Sequence, residues 1–102
     1  MQEVTVYGTT WSVASWDVRR LLESIHVPYQ FVDIDADQES RAWVKSLANG
    51  AEGLALPVVR LMDGTLLIGA TRREVAAQFG FRLDTGYLKP LARGRGFFSS
   101  LP

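Results

Sequence analysis

The sequence contains no cysteine among its 102 residues. This absence excludes disulfide bonds, thiolate nucleophiles, and zinc or iron–sulfur sites held by cysteine. With His26 as the single histidine, no histidine cluster for a metal exists either. Asp33, Asp35 and Asp37 are the candidates for an oxygen-only metal site. Their alternation is more typical of a strand that runs out into a helix start, so we predict no metal.

Long apolar runs and excess charge are also missing. No apolar run approaches the roughly 18 residues that a membrane span needs, and the N-terminus lacks the basic, apolar, cleavable order of a signal peptide. Eleven basic residues balance eleven acidic ones, so electrostatics does not favour nucleic acid or an anionic membrane as a partner. The hydrophobic fraction of 47% suits a globular core. We predict a soluble, cytoplasmic protein with no nucleic-acid or membrane partner.

The N-terminal half alternates strand and helix patterns. Residues 3–7 alternate polar and apolar side chains, which predicts a strand that breaks at Gly8. From Ser15 the apolar residues recur at i, i+3, i+4 and i+7, which predicts an amphipathic helix that Pro28 ends. A β-rich run over residues 29–34 predicts the second strand.

A second helix should follow that strand, capped by Asp35 or Asp37. The apolar residues that it is expected to turn toward the core are Ala42, Trp43, Val44 and Leu47. The dipeptide Asp63-Gly64 lies between the β-rich runs 57–61 and 65–68, which predicts an antiparallel hairpin with a type I′ turn.

The last predicted helix covers residues 71–79. Thr71 and Glu74 have the spacing of a capping box, and Gly80 ends the apolar stripe that follows. The order β-α-β-α-β-β-α predicts an α/β fold with a parallel first unit and an antiparallel second hairpin.

The end of the chain shows no convincing period. Residues 82–102 are rich in glycine, arginine and serine, and their charge is mildly basic. Leu88, Leu91, Phe97 and Phe98 are the apolar residues available there to dock on the body. We predict a domain over residues 1–81 and a basic, partly aromatic C-terminal tail over residues 82–102.

A set of motifs resembles those of glutaredoxins, proteins of the thioredoxin fold. The motifs are V-Y-G-T-T-W-S-x-x-S at 6–15, V-R-R-L-L-E at 18–23, V-P-Y at 27–29, V-D-I-D at 32–35, L-P-V-V at 56–59 and G-A-T at 69–71. The likeness covers residues 3–81 and is greatest to the short, mycoredoxin-like actinobacterial group. It implies a thioredoxin-like α/β fold with a four-stranded mixed sheet.

The resemblance places the family's two redox cysteines at Ser12 and Ser15. A helix N-terminus stabilises a thiolate there in the family, but a serine hydroxyl cannot form a mixed disulfide. The chain is therefore expected to be related to thiol-disulfide oxidoreductases of cell redox homeostasis and to be redox-inactive itself. The residues alone indicate helix capping for both serines. A Ser–His hydrolase is disfavoured because His26 lies about 21 Å along the same helix.

The resemblance also implies a ligand site. Pro57 matches the family's cis-proline, and the backbone of Leu56 before it would pair with the cysteinyl part of a bound thiol or peptide. An ordinary proline at the start of a strand is the alternative. Gly69, Ala70 and Thr71 match the turn that receives a carboxylate of glutathione.

Trp11 and Val13, next to the serines, complete the predicted substrate-binding set. Arg72 stands where the family has an acidic residue, which predicts weaker recognition of a ligand ammonium. No cofactor is predicted. Glutathione or mycothiol is the ligand that the resemblance implies, the partner is a low-molecular-weight thiol or a disulfide-bearing protein, and the chain is expected to be a monomer.

Three functional hypotheses stay open on the sequence alone. The chain is an oxidoreductase whose cysteines were changed to serine, or a thioredoxin-fold binding module for a low-molecular-weight thiol, peptide or partner protein. The dipeptide Val13-Ala14 favours the second, because the oxidoreductases usually place proline there. The third hypothesis is a structural or oligomerising unit that uses Phe97 and Phe98 of the tail.

Overall fold

The computed structural model describes residues 3–47, 55–84 and 87–90. The predicted order of strands and helices is confirmed, and two further strands follow it. The elements are β1 (Val4–Gly8), α1 (Val13–Ser24), β2 (Tyr29–Asp33), α2 (Gln38–Leu47), β3 (Val58–Arg60), β4 (Leu66–Ile68), α3 (Arg72–Gln78), β5 (Phe81–Asp84) and β6 (Tyr87–Pro90).

The predicted four-stranded mixed sheet is present, with the order β2-β1-β3-β4. Strand β1 pairs parallel with β2 and antiparallel with β3, and β3 pairs antiparallel with β4. All five residues of β1 are buried because this strand lies inside the sheet. The C-terminal end of β1 leads directly into the loop before α1, so the sheet holds that loop in place.

Helix α1 packs through the predicted apolar stripe, in which Val18, Leu21 and Leu22 are buried. Its C-terminus closes with two backbone hydrogen bonds, from His26 N to Glu23 O and from Val27 N to Leu22 O. This pattern is a Schellman motif, with His26 at the left-handed position (φ +59°) that glycine usually occupies. His26 therefore contacts the end of the helix through its backbone N–H.

The two faces of the sheet carry separate cores. The larger core includes buried residues of β1, β3, α1 and α3, and the smaller one includes Tyr7, Ile34, Val44 and Val58. The prediction for α2 was partly wrong because Ala42 is exposed. Residues two apart on a helix point about 200° apart, so Ala42 cannot share the face that buries Val44.

The predicted hairpin between β3 and β4 is confirmed, but its turn is not type I′. Gly64 has φ +92°, whereas Asp63, like every described non-glycine residue except His26, has a negative φ. The bonds from Gly64 N to Leu61 O and from Leu61 N to Thr65 O instead fit a type I turn followed by a left-handed glycine. Asp63-Gly64 suits both turns, and the strand register selects this one.

Strands β5 and β6 were missed by the sequence analysis. They form a separate two-stranded antiparallel sheet that begins at Phe81 and reaches Pro90. Phe81 and Leu83 pack against the larger core, with Arg82 between them on the outside. The alternation of apolar and polar residues over 81–84 is too short to indicate a strand next to a polar tail. The domain boundary after residue 81 stays a prediction, and Leu91, Phe97 and Phe98 lie outside the described residues.

No helix in the described ranges is long and apolar enough to cross a membrane. The cytoplasmic location stays a prediction.

Candidate functional site

Ser12 is the N-cap of α1, as the capping interpretation predicts. Its backbone is extended (φ −85°, ψ 120°), and its Oγ accepts a hydrogen bond from Ser15 N at 3.1 Å. The carbonyl of Ser12 accepts the first helical bond, from Trp16 N. The hydroxyl is therefore engaged with an N–H group of the first turn, which would otherwise lack a partner.

Ser15 does not cap the helix; it is fully buried within the first turn. Its Oγ accepts a long hydrogen bond from Thr9 N, at 3.4 Å. A Cβ on Gly8 would lie 2.8 Å from Ser15 Cβ and closer still to Ser15 Oγ. Ser15 thus fills a tight space between α1 and the end of β1, and a substrate cannot reach it without a local opening.

Trp11 and Val13 lie on an exposed rim next to Ser12, with 68% and 74% of their surfaces accessible. The Trp11 indole is held at one edge, where Nε1 donates to Asp35 Oδ2 at 2.8 Å. Asp35 also forms an ion pair with Arg41 at 2.9 Å. The indole is therefore fixed in orientation while most of its surface stays open to solvent.

The three aspartates weighed as a metal site have other roles. Asp33 accepts from Asp35 N, and Asp37 binds the backbone N and the hydroxyl of Ser40 at the start of α2. Asp37 therefore fulfils the predicted capping role. Within the described ranges, no three metal-ligating side chains come close enough to hold an ion.

Leu56 and Pro57 are joined by a cis peptide bond, which confirms that part of the prediction. The Pro57 carbonyl accepts from Ala70 N at 2.9 Å, and this bond joins the proline segment to the turn before α3. Gly69 adopts φ +65° in that turn. The proline segment and the glycine turn are thus neighbours, although eleven residues separate Pro57 from Gly69 in the sequence.

These two segments and α1 enclose a cleft of about 350 Å³. Four residues of the predicted set line it, namely Leu56, Gly69, Ala70 and Thr71. The other five, Trp11, Ser12, Val13, Ser15 and Pro57, are not among its lining residues. The predicted site therefore divides into an open rim around Ser12 and a recessed cleft beside it.

Four further residues line the cleft that no sequence motif indicated, namely Ala14, Asp17, Arg73 and Leu83. Ala14 and Asp17 are three residues apart in α1, a spacing that places them on one helix face. That spacing was a usable signal for Asp17. No local pattern connects Leu83 to the cleft, because β5 reaches it only through tertiary packing.

Two backbone donors of the turn before α3 are bonded inside the protein. Ala70 N donates to Pro57 O, and Thr71 N donates to Glu74 Oε1 at 3.0 Å. Glu74 N in return donates to Thr71 Oγ1 at 3.1 Å, which confirms the predicted capping box. The N–H groups of Ala70 and Thr71 are therefore already used inside the protein.

A second cluster stiffens α1 away from the cleft. The Arg19 guanidinium lies 4.0 Å from the Phe31 ring centroid and 4.7 Å from that of Trp16. Tyr29 OH accepts from Arg19 Nε and donates to Glu23 Oε2 at 2.6 Å. Burial and the bond to Glu23 raise the pKa of Tyr29. This cluster holds the outer face of α1 on β2.

Comparison with known proteins agrees with this architecture. The glutaredoxin family model matches residues 4–66. Over 79 residues the chain is 35% identical to two sequences of mycoredoxin 1 from Corynebacterium glutamicum, spanning 76% of this chain and 94% of the relative. A glutaredoxin from Archaeoglobus fulgidus shares the fold, with a TM-score of 0.59 over 78% of this chain and 87% of its own, at 18% identity. The chain therefore belongs to the glutaredoxin family, and it carries no cysteine.

Proposed function

We propose that this chain is a glutaredoxin-family protein that does not carry out thiol–disulfide exchange. The observation that carries the proposal is the occupant of the α1 N-cap, a serine hydroxyl bonded to Ser15 N. In exchange, a thiolate attacks a disulfide sulfur, a new S–S bond forms, and the other sulfur leaves as thiolate. Neither Ser12 nor Ser15 has a sulfur atom to enter that new bond.

Hydrolysis by Ser12 is a poor alternative. A serine nucleophile needs a general base within hydrogen-bond reach. His26 lies beyond the opposite end of α1, and within the described ranges Ser12 Oγ has only a backbone N–H as its partner. The helix end stabilises an anion by a modest amount, which is small against the high intrinsic pKa of an alcohol.

The direct test measures reduction of a glutathione mixed disulfide by three full-length proteins. The unmodified chain should show no turnover above the uncatalysed rate. Ser12→Cys should gain exchange activity, because the new thiol lies at the helix N-terminus beside the open rim. Ser12→Cys with Ser15→Cys should gain dithiol activity as well, provided that circular dichroism shows a folded protein.

Turnover by the unmodified chain would contradict the proposal outright. If the folded Ser12→Cys protein were inactive, the lack of exchange activity would have a cause other than the missing sulfur. The Ser12→Cys variant keeps the test decisive even if the double variant misfolds, because Ser15 lies in a crowded position where a cysteine has little room.

A second candidate function is non-covalent binding, and the cleft favours it. The glutaredoxin family acts on low-molecular-weight thiols and disulfide substrates. In this chain a cleft of about 350 Å³ lies beside the N-terminus of α1. Calorimetric titration with glutathione, a mycothiol analogue and short cysteine-containing peptides tests this function. Binding without turnover supports a binding module. The absence of both heat and a shift in melting temperature for every probe argues against it.

A further inference from the structure

The main sheet ends at β4, whose outer side has no neighbouring strand. The sheet order is β2-β1-β3-β4, and within the described ranges no strand pairs with the side of β4 that faces away from β3. A strand at the edge of a sheet presents backbone N–H and C=O groups with which a further strand can pair. The outer side of β4 is therefore a candidate interaction surface, separate from the residues that line the cleft.

The register of the hairpin determines which backbone groups of β4 point outward. Leu61 N donates to Thr65 O, so these two residues form a hydrogen-bonded pair. Hydrogen-bonded and non-hydrogen-bonded pairs alternate along an antiparallel ladder. By this alternation Leu67 is bonded to β3, whereas Leu66 and Ile68 belong to non-hydrogen-bonded pairs. The N–H and C=O groups of Leu66 and Ile68 therefore point away from β3, toward the open edge.

Strand β4 lacks the features that usually protect an edge from pairing. Charged side chains and proline are common protections, and the three residues of β4, Leu66–Ile68, include neither. The other outer strand is different, because Pro28 precedes β2 and β2 itself contains Gln30 and Asp33. Of the two outer strands of the main sheet, β4 is therefore the one that is open to pairing.

The side chains of β4 set a requirement for the partner strand. Leu66 packs against the smaller core and Leu67 against the larger one. Ile68 lies on the same face as Leu66, because side chains two residues apart in a strand point the same way. Its side chain is 48% exposed. A strand that covers Ile68 must therefore carry an apolar side chain on that face of the sheet.

A second copy of β4 meets both the backbone and the side-chain requirement. Antiparallel pairing about a two-fold axis at Leu67 places Leu66 of each copy opposite Ile68 of the other. Each such pair can exchange both of its outward backbone hydrogen bonds. The same register brings Leu66 and Ile68 together on one face and the two copies of Leu67 together on the other. The edge is thus self-complementary, as a two-fold interface requires.

We infer that β4 is a self-association edge, at which two copies of this chain pair antiparallel and join their main sheets into one. This inference is independent of the proposed function, because it uses neither Ser12 nor the residues that line the cleft. It replaces the monomer expected from the sequence with a concentration-dependent dimer. A strand of three residues buries little surface, so the dimer should be weak, with a Kd on the order of 100 µM.

Sedimentation velocity on the full chain tests for the dimer. The protein is measured from about 10 µM to about 1 mM, a range that brackets the expected Kd. The unmodified chain should pass from monomer to dimer over this range. A chain that stays monomeric throughout overturns the inference.

A pair of lysine variants tests whether β4 forms the interface. Ile68→Lys places a charge on the pairing edge and should raise the Kd of the dimer at least about tenfold. Met62→Lys is the matched control, because Met62 is an apolar residue of similar exposure, 50%, in the turn before β4. It adds the same charge outside the strand and should leave the Kd unchanged. A dimer that Ile68→Lys does not weaken, or that both variants weaken equally, contradicts pairing through β4.

Amide hydrogen exchange locates the interface in the unmodified chain. The N–H groups of Leu66 and Ile68 should become more protected as the concentration rises through the Kd, whereas Leu67 N–H should be protected at every concentration. Dimerisation without added protection at Leu66 and Ile68 would show that another surface is used and would overturn the inference. None of these outcomes bears on the proposed lack of thiol–disulfide exchange, which the cysteine variants decide.

Discussion

Gly8 and Ser15 pack closely together beside Ser12, and Gly8→Ala tests this contact. Gly8 ends the inner strand β1, and an added Cβ would lie 2.8 Å from Ser15 Cβ and 3.4 Å from Phe31 Cε1. Alanine in place of glycine ordinarily stabilises a compatible site by about 0.4–1 kcal/mol. Overpacking a rigid core costs about 1–3 kcal/mol.

The cost of overpacking should exceed the gain from replacing glycine, because Ser15 and Phe31 belong to packed elements with little room to move. We expect Gly8→Ala to reduce the free energy of unfolding by about 2 kcal/mol, which lowers the Tm by roughly 10 °C for a domain of this size. Chemical denaturation with an unchanged m-value, together with a thermal melt, measures both quantities.

Ser15→Ala provides the matched second change. It removes the Oγ that lies closest to the added methyl group. It also removes the weak hydrogen bond that Oγ accepts from Thr9 N. The double variant should therefore be less destabilised than the sum of the single variants, by about 1 kcal/mol. A Gly8→Ala protein as stable as the unmodified chain would refute the steric reasoning. It would also contradict the conclusion that Ser15 lies in a tight space.

Three local motifs each have a measurable effect on stability. His26→Gly should raise the free energy of unfolding by about 1 kcal/mol, because glycine adopts the left-handed φ without the Cβ penalty; His26→Ala keeps that penalty, so an equal gain from alanine would contradict the explanation. Thr71→Ala should lower stability by about 1 kcal/mol through loss of the capping box, and a thermal melt in which Thr71→Ser fell as far would argue against the cap. The backbone and side-chain hydrogen bonds of Thr65 hold the pKa of Asp63 below its usual 3.8. A lowered folded-state pKa contributes stability above the unfolded pKa, and that contribution is lost as the pH falls through the folded value. Asp63→Asn should therefore flatten the stability profile below roughly pH 4, and an unaltered acid limb in urea titrations would exclude this carboxylate as a contributor.

The elements that sequence reasoning predicted correctly are those that local forces specify. Ser12 as N-cap and the Thr71–Glu74 capping box depend on groups three residues apart, and the hairpin of β3 and β4 depends on two short runs around Asp63-Gly64. The turn type was wrong because one dipeptide suits two turns. Ala42 was assigned to the core because a short apolar segment on a helix was taken as one face.

The strand β5 was missed for a different reason. Phe81 and Leu83 are apolar residues in a short segment beside a polar tail, and their burial depends on α1, β1 and α3 being already in place. Local alternation over four residues is too weak a signal to compete with the composition of the region. The same dependence on packing hides the contribution of Leu83 to the cleft.

The absence of thiol chemistry is determined by the sequence itself, because a fold arranges atoms but cannot provide a sulfur that no residue carries. The helix N-terminus that would activate a thiol was also readable, since a cap and its first turn are neighbours in the chain. Only the tertiary structure decided which charges meet in the cleft. Asp17, Leu56, Arg73 and Leu83 come from four separate segments. They meet because α1, α3 and β5 pack against the same core, and that packing depends on residues far apart in the chain.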